Sequence, residues 1–168
     1  MRHELKRLVP GLCVPYDAVT QTYRVHCEGV HLTWDWQQTR DTLLNGERDV
    51  MLTADFNVKH FFQDSDSEWV ETERERMSRW IIRVGLETMD AWYSAGDYAK
   101  CVQLAGRLIE IDPLDEGLHD FLIRATVQVS GVSAARMVYW ESRTLFVREV
   151  GHVPALLDTV AQQLLQSH

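Results

Sequence analysis

The sequence predicts a mainly α-helical fold: antiparallel helix pairs stacked into an α-α superhelix, preceded by a short N-terminal β-hairpin. Three observations carry this expectation. From residue 65 onward apolar residues recur at steps of three and four, glycines and prolines punctuate those runs, and Gly96 and Gly131 stand at helix ends about 35 residues apart.

Taken in order, strand character first occurs at residues 13–16 and 22–26. Pro15 restricts the first arm, Tyr23 and Val25 share one face of the second, and residues 17–21 form the turn. A short extended piece at 30–33 leads to Asp35, which can cap a short helix carrying Trp36, Leu43 and Leu44 and stopped by Asn45-Gly46. Between 49 and 64, Phe56, Phe61 and Phe62 need burial but follow no period, so a weak helix and a loop are expected there.

Ser65-Asp66-Ser67-Glu68 has the capping-box form, a hydroxyl for one orphan amide and a glutamate reaching back for another, and opens a long helix. Trp69, Arg76, Met77, Trp80, Ile81, Val84, Thr88, Ala91, Trp92 and Ala95 form its inward stripe, on the order of 40 Å long. Gly96 closes it as a left-handed cap, and Asp97 caps a second helix whose inward residues are Tyr98, Cys101, Val102, Ala105, Leu108 and Ile109. Asp112 is expected to cap the third helix with Pro113 in its first position, because proline lacks the amide that the first turn cannot use. That helix turns Leu114, Leu118, Phe121, Leu122, Ala125 and Val129 inward and closes at Gly131. Ser133 starts a fourth, with Ala134, Ala135, Val138, Tyr139, Leu145 and Phe146 inward. Gly151 and Pro154 set off a last helix bearing Leu156, Leu157, Val160, Ala161, Leu164 and Leu165.

The Gly96-to-Gly131 interval is close to the ~34-residue period of tetratricopeptide repeats, so the bundle is expected to be TPR-like. Trp92 takes the aromatic place of the first unit, Gly96 its turn, Tyr98 the following aromatic, Cys101 the small residue where helices touch and Pro113 the terminator. In the second unit Gly131 takes the turn, Ala135 the small contact and Tyr139 the bulk one turn later. Small side chains are needed at such contacts because closely packed helices leave no room for larger ones. Stacked pairs of this kind present a surface suited to a peptide or protein partner.

Composition narrows the function. A formal net charge of -8 over 168 residues disfavours the whole chain as a nucleic-acid binder, since phosphate contacts need clustered lysine and arginine. Cys13, Cys27 and Cys101 are odd in number and widely spaced, which fits a reducing compartment. No signal peptide or membrane span is expected, and the protein is placed in the cytoplasm. No phosphate loop, nucleophile elbow or HExxH occurs, so neither catalysis nor a cofactor is expected. His26, Cys27 and His31 match no common zinc spacing and are read as structural or surface residues. Trp140 falls off the inward stripe of its helix and is the best candidate for an exposed partner contact. Arg74 and Arg76 are further candidates, although pairs within their own helix explain them as well.

The string Asp66-Ser67-Glu68-Trp69-Val70-Glu71-Thr72-Glu73-Arg74-Glu75-Arg76-Met77, then Ala95-Gly96-Asp97-Tyr98 and Ile111-Asp112-Pro113-Leu114-Asp115-Glu116, resembles the bacterial transcriptional activator domain of SARP-type regulators. Ala134-Ala135-Arg136-Met137-Val138-Tyr139 and Glu149-Val150-Gly151-His152-Val153-Pro154 resemble later segments of that family, in its order. The resemblance runs from about Trp36 to the end. It implies two domains: residues 1–33, similar to the end of a winged-helix recognition helix at 4–8 and its wing hairpin, and residues 34–168, the activator domain. It also implies a regulatory module acting through a protein partner, either the transcription machinery or a second copy of itself, with DNA reached only through a winged-helix domain largely missing here.

Overall fold

Gly96 and Gly131, both at positive φ, are the two helix stops that shape the fold. The computed structural model describes residues 41–43, 45–54 and 68–166 together with four short strands within 12–27; of these, side chains are described for 41–43, 45–54, 68 and 70–162. The elements are β1 (Leu12–Cys13), β2 (Tyr16–Asp17), β3 (Thr22–Tyr23), β4 (His26–Cys27), α1 (Val50–Thr53), α2 (Glu68–Ala95), α3 (Tyr98–Ile109), α4 (Glu116–Glu149) and α5 (Ala155–Gln166). The chain divides into two compact units, Met1–Glu47 and Arg48–His168.

In the first unit β1 pairs antiparallel with β4 and β2 with β3, Leu12 facing Cys27 and Tyr16 facing Tyr23. These pairings are the described part of the region expected as a hairpin. Its turn residues 18–21, the recognition-helix remnant at 4–8 and the expected helix start at Asp35 with Trp36 lie outside the described residues. So do Phe56, Phe61, Phe62 and the first three residues of the expected capping box.

The second unit is mainly helical. α2 ends at Ala95, and Gly96 follows with φ 87°, a value that an L side chain resists. Gly96 N–H bonds to Tyr93 O (3.2 Å) and Asp97 N–H to Trp92 O (2.8 Å), the doubly bonded Schellman closure that satisfies the last carbonyls of a helix. α3 then runs back along α2: Gly85 lies against Leu108, and further along α2 Met89 O receives the Cys101 thiol (3.4 Å). Rising numbers on one helix meet falling numbers on the other, so the pair is antiparallel.

α4 is bent into a second pair. Its regular hydrogen bonding is interrupted at Gly131, where φ 83° and ψ 173° are non-helical, and two arms meet there with no intervening loop. The first arm contributes Ile123 to a cluster completed by Ala135, Tyr139 and Phe146 of the second arm and by Leu157 and Val160 of α5. His119 joins the arms by polar contacts: its Nδ1 pairs with Ser142 Oγ at 2.8 Å, and its Nε2 donates to the Pro113 carbonyl at 2.9 Å. Its ring edge meets Phe146 at 5.1 Å between centroids. His119 and Ser142 are both buried, and a buried polar pair of this kind costs little only while its hydrogen bonds are made.

Several expected details differ. The third helix starts at Glu116 and not at Pro113: Asp115, in extended conformation, accepts the Leu118 N–H at 3.0 Å and is the true cap, whereas Asp112 bonds the nearby Leu114 N–H at 3.1 Å. Both aspartates are competent acceptors, and the cap is the one whose backbone leads directly into helical geometry. Replacing Asp115 by Ala therefore destabilises the fold by about 1 kcal/mol, read as a lower urea midpoint at unchanged slope, while Asp112→Ala costs less. Asp97 holds the cap position of α3, but its side chain makes no cap bond; its backbone carbonyl receives Lys100 and Cys101, and its carboxylate lies 3.6 Å from Lys100. Leu114, Val129 and Leu156, expected inward, are exposed, as are Arg76 and Ala95. Leu104, absent from the expected inward set, is fully buried.

Candidate partner-contact surface

The second arm of α4 presents two faces of opposite character. Ala135, Tyr139, Ser142 and Phe146, spaced by four, three and four residues, are all buried. Met137, Trp140, Thr144 and Val147 follow the opposite phase and are all exposed. At about 3.6 residues per turn these sets fall on different sides of the helix, so burying one presents the other to solvent. Met137 is 67% exposed and Trp140 57%, a large apolar area to leave in water.

Trp140 is held in place by its neighbours. Tyr139 meets its ring edge-on at 5.5 Å, and the Arg143 guanidinium lies 5.3 Å from its centroid. A ring flanked in this way loses little freedom on binding, and tryptophan with arginine is a frequent anchor combination in protein interfaces.

The other residues singled out in the sequence occupy structural positions. Trp92 is buried, with the Lys100 ammonium 5.4 Å from its ring; Lys100 also bonds Asp49 at 2.9 Å, the main cause that raises its pKa. Tyr98 packs edge-on against Tyr93 at 5.0 Å, and Tyr93 in turn lies 4.9 Å beneath Arg124, which pairs with Asp120. Cys101 and Ala135 are fully buried at the helix contacts of the first and second pairs. Burial pushes the Cys101 thiol upward in pKa, so it stays protonated and donates to the Met89 carbonyl. Pro113 lies in the turn before α4 and offers its carbonyl to His119. Arg74 pairs with Glu71 and is largely covered; Arg76 pairs with Glu73 at 2.9 Å and points to solvent. Arg107 secures α1 to α3 by donating to the carbonyls of Met51 (2.7 Å) and Ala54.

Sequence reading missed two residues that matter to the scaffold. Gly85, in the middle of α2, sits so close to α3 that a Cβ there would overlap Leu108. Its signal was available, a glycine inside a long helical run where alanine is intrinsically better. His119 joins the two arms of α4, and nothing in its local sequence marks it for burial. Among the described residues no group of three or more His, Cys, Asp or Glu could hold a metal ion, and no helix is long and apolar enough to cross a membrane.

The family model of the bacterial transcriptional activator domain matches residues 57–165, and the chain belongs to that family. It is a family of regulatory domains of transcription and not of enzymes. No curated protein matches the sequence.

Proposed function

We propose that the chain is the protein-contacting module of a bacterial transcriptional regulator, a TPR-like stack that docks through the outer face of the second arm of α4. The observation that carries this reading is Trp140, an exposed indole flanked by Arg143 and Tyr139 on a helix whose other face is core. Its partner is a protein of the transcription machinery or a second copy of the chain, and the site of action is the cytoplasm. DNA is reached through a winged-helix domain to which residues 1–33 are similar, with the activator domain spanning 34–168. Family membership favours this over a free-standing adaptor unrelated to transcription.

Trp140→Ala separates docking from folding. The side chain is exposed, so the melting temperature stays within the change expected of a surface substitution, about 0.5 kcal/mol. Truncating an interface anchor costs on the order of 2 kcal/mol of partner affinity. With the chain tethered to an unrelated DNA-binding domain, the variant should lose most of its activation of a reporter promoter while its helical circular dichroism is unchanged. Full activation by the folded variant would remove Trp140 from the contact.

A further inference from the structure

The turns before α3, α4 and α5 are each built to stop a helix. Gly96 closes α2 with two backbone hydrogen bonds, the turn before α4 holds Pro113, and the turn before α5 holds Gly151 and Pro154. The bend at Gly131 is different. Residues 116–149 contain no proline, Gly131 is the residue of α4 whose angles are non-helical, and the two arms meet there without a loop. Gly131 is exposed and a Cβ on it would touch nothing within 4 Å, so its φ of 83° alone asks for glycine. Turning that one position to helical angles makes α4 a straight rod of 34 residues, about 50 Å long. It would uncover His119 and Ile123 on the first arm, and Tyr139, Ser142 and Phe146 on the second.

We infer that Gly131 is a hinge at which two copies of this chain exchange their second arms and α5, giving a domain-swapped dimer. A second straightened copy covers each uncovered face with the same residues that cover it within one chain, His119 of one copy meeting Ser142 of the other. The contacts between arms are thereby remade across the dimer, so the angles at residue 131 and the cost of joining two chains decide between the forms. Short connections invite such exchange, because they leave the chain little room to turn back on itself. Glycine tips the balance toward the bent monomer: it takes φ 83° without strain and is a poor helix former. The exchange does not use Met137 or Trp140, which lie on the opposite side of the helix from Tyr139 and Phe146. A swapped dimer therefore carries two outer α4 faces on one particle.

Gly131→Ala tests the hinge in the full chain. Alanine resists positive φ and favours helix, so it weakens the bent form and strengthens the straight one. Gel filtration with light scattering should show the variant as a dimer, its dimerisation constant raised about a hundredfold over the parent, roughly tenfold for each of two hinges. Helical circular dichroism should be retained. A chain with Asn-Gly-Gly inserted after Gly131, which loosens the bend, should stay monomeric at every concentration. Exchanged arms part only by unfolding, so the isolated Gly131→Ala dimer should survive dilution in the cold and yield monomer only near its melting transition. Adding Trp140→Ala should leave that dimer intact. A Gly131→Ala chain that is monomeric or unfolded, a dimer that separates at once on dilution, or one that Trp140→Ala dissolves would each overturn the exchange, the last assigning the association to the outer face.

Discussion

Cys101→Trp is expected to abolish cooperative unfolding of the Arg48–His168 unit. Cys101 has no exposed surface, its sulfur lies 3.4 Å from the Met89 carbonyl, and Leu104, Ala105 and Leu108 on the same helix are equally buried. An indole at this contact must separate α2 from α3 or leave the core altogether. Even one or two extra methylenes in a packed core cost ~1–3 kcal/mol, and an indole adds far more bulk than that. Because domains of this size are stable by roughly 5–15 kcal/mol, the loss takes a large share of the total. Thermal unfolding followed by circular dichroism should show a broad, early transition. Cys101→Ala, which keeps the contact small, should lower the midpoint only modestly. A tryptophan variant that melts as the parent does would mean that the two helices do not meet at this position.

Gly85→Val tests the same pair from the other helix. A Cβ at position 85 would overlap Leu108 Cδ1 and come within 3.6 Å of Leu108 Cγ and 3.7 Å of Met51 Cε. Two effects oppose each other in Gly85→Ala: helix propensity favours alanine by about 1 kcal/mol, while the clash opposes it. Leu108 and Met51 are both fully buried, so any shift of Leu108 Cδ1 has to be absorbed by closely packed neighbours, and alanine is expected to be net destabilising. Valine adds branching and loses the propensity gain, for an expected cost of about 3 kcal/mol. Urea unfolding measures both. A Gly85→Ala variant more stable than the parent would show that Leu108 yields easily and that the contact is looser than described.

Much of the helical architecture was legible in the sequence because it rests on local chemistry. Gly96 and Gly131 mark their turns through a backbone conformation that other residues avoid, and the three-and-four spacing of Leu118 and Ala125, or of Ala135, Tyr139 and Phe146, sets the buried phase of each arm. What was not legible depends on where a partner helix lies. Leu114, Val129 and Leu156 have suitable hydropathy, but they stand before or near the ends of their helices, where no neighbour covers them. Leu104 lies beside Cys101, Ala105 and Leu108 on the covered side of α3, and only packing reveals how wide that side is. The choice between Asp112 and Asp115 as cap turned on backbone conformation, which two nearby aspartates do not disclose. Of the candidate surface, Trp140 was visible as an aromatic out of phase with its helix. The alignment of Met137 and Val147 with it, and the support from Arg143, required coordinates.

The outer face of the second arm of α4 is proposed as the surface that meets a protein partner. A photo-crosslinking amino acid placed at position 140 of the full chain, and in parallel at the exposed Gln103 of α3, tests this inside the cell that encodes it. The predicted result is a discrete adduct from position 140 that mass spectrometry identifies as a transcription-machinery subunit or a second copy of the chain, with none from position 103. Adducts absent at 140, or the same from both positions, would contradict it.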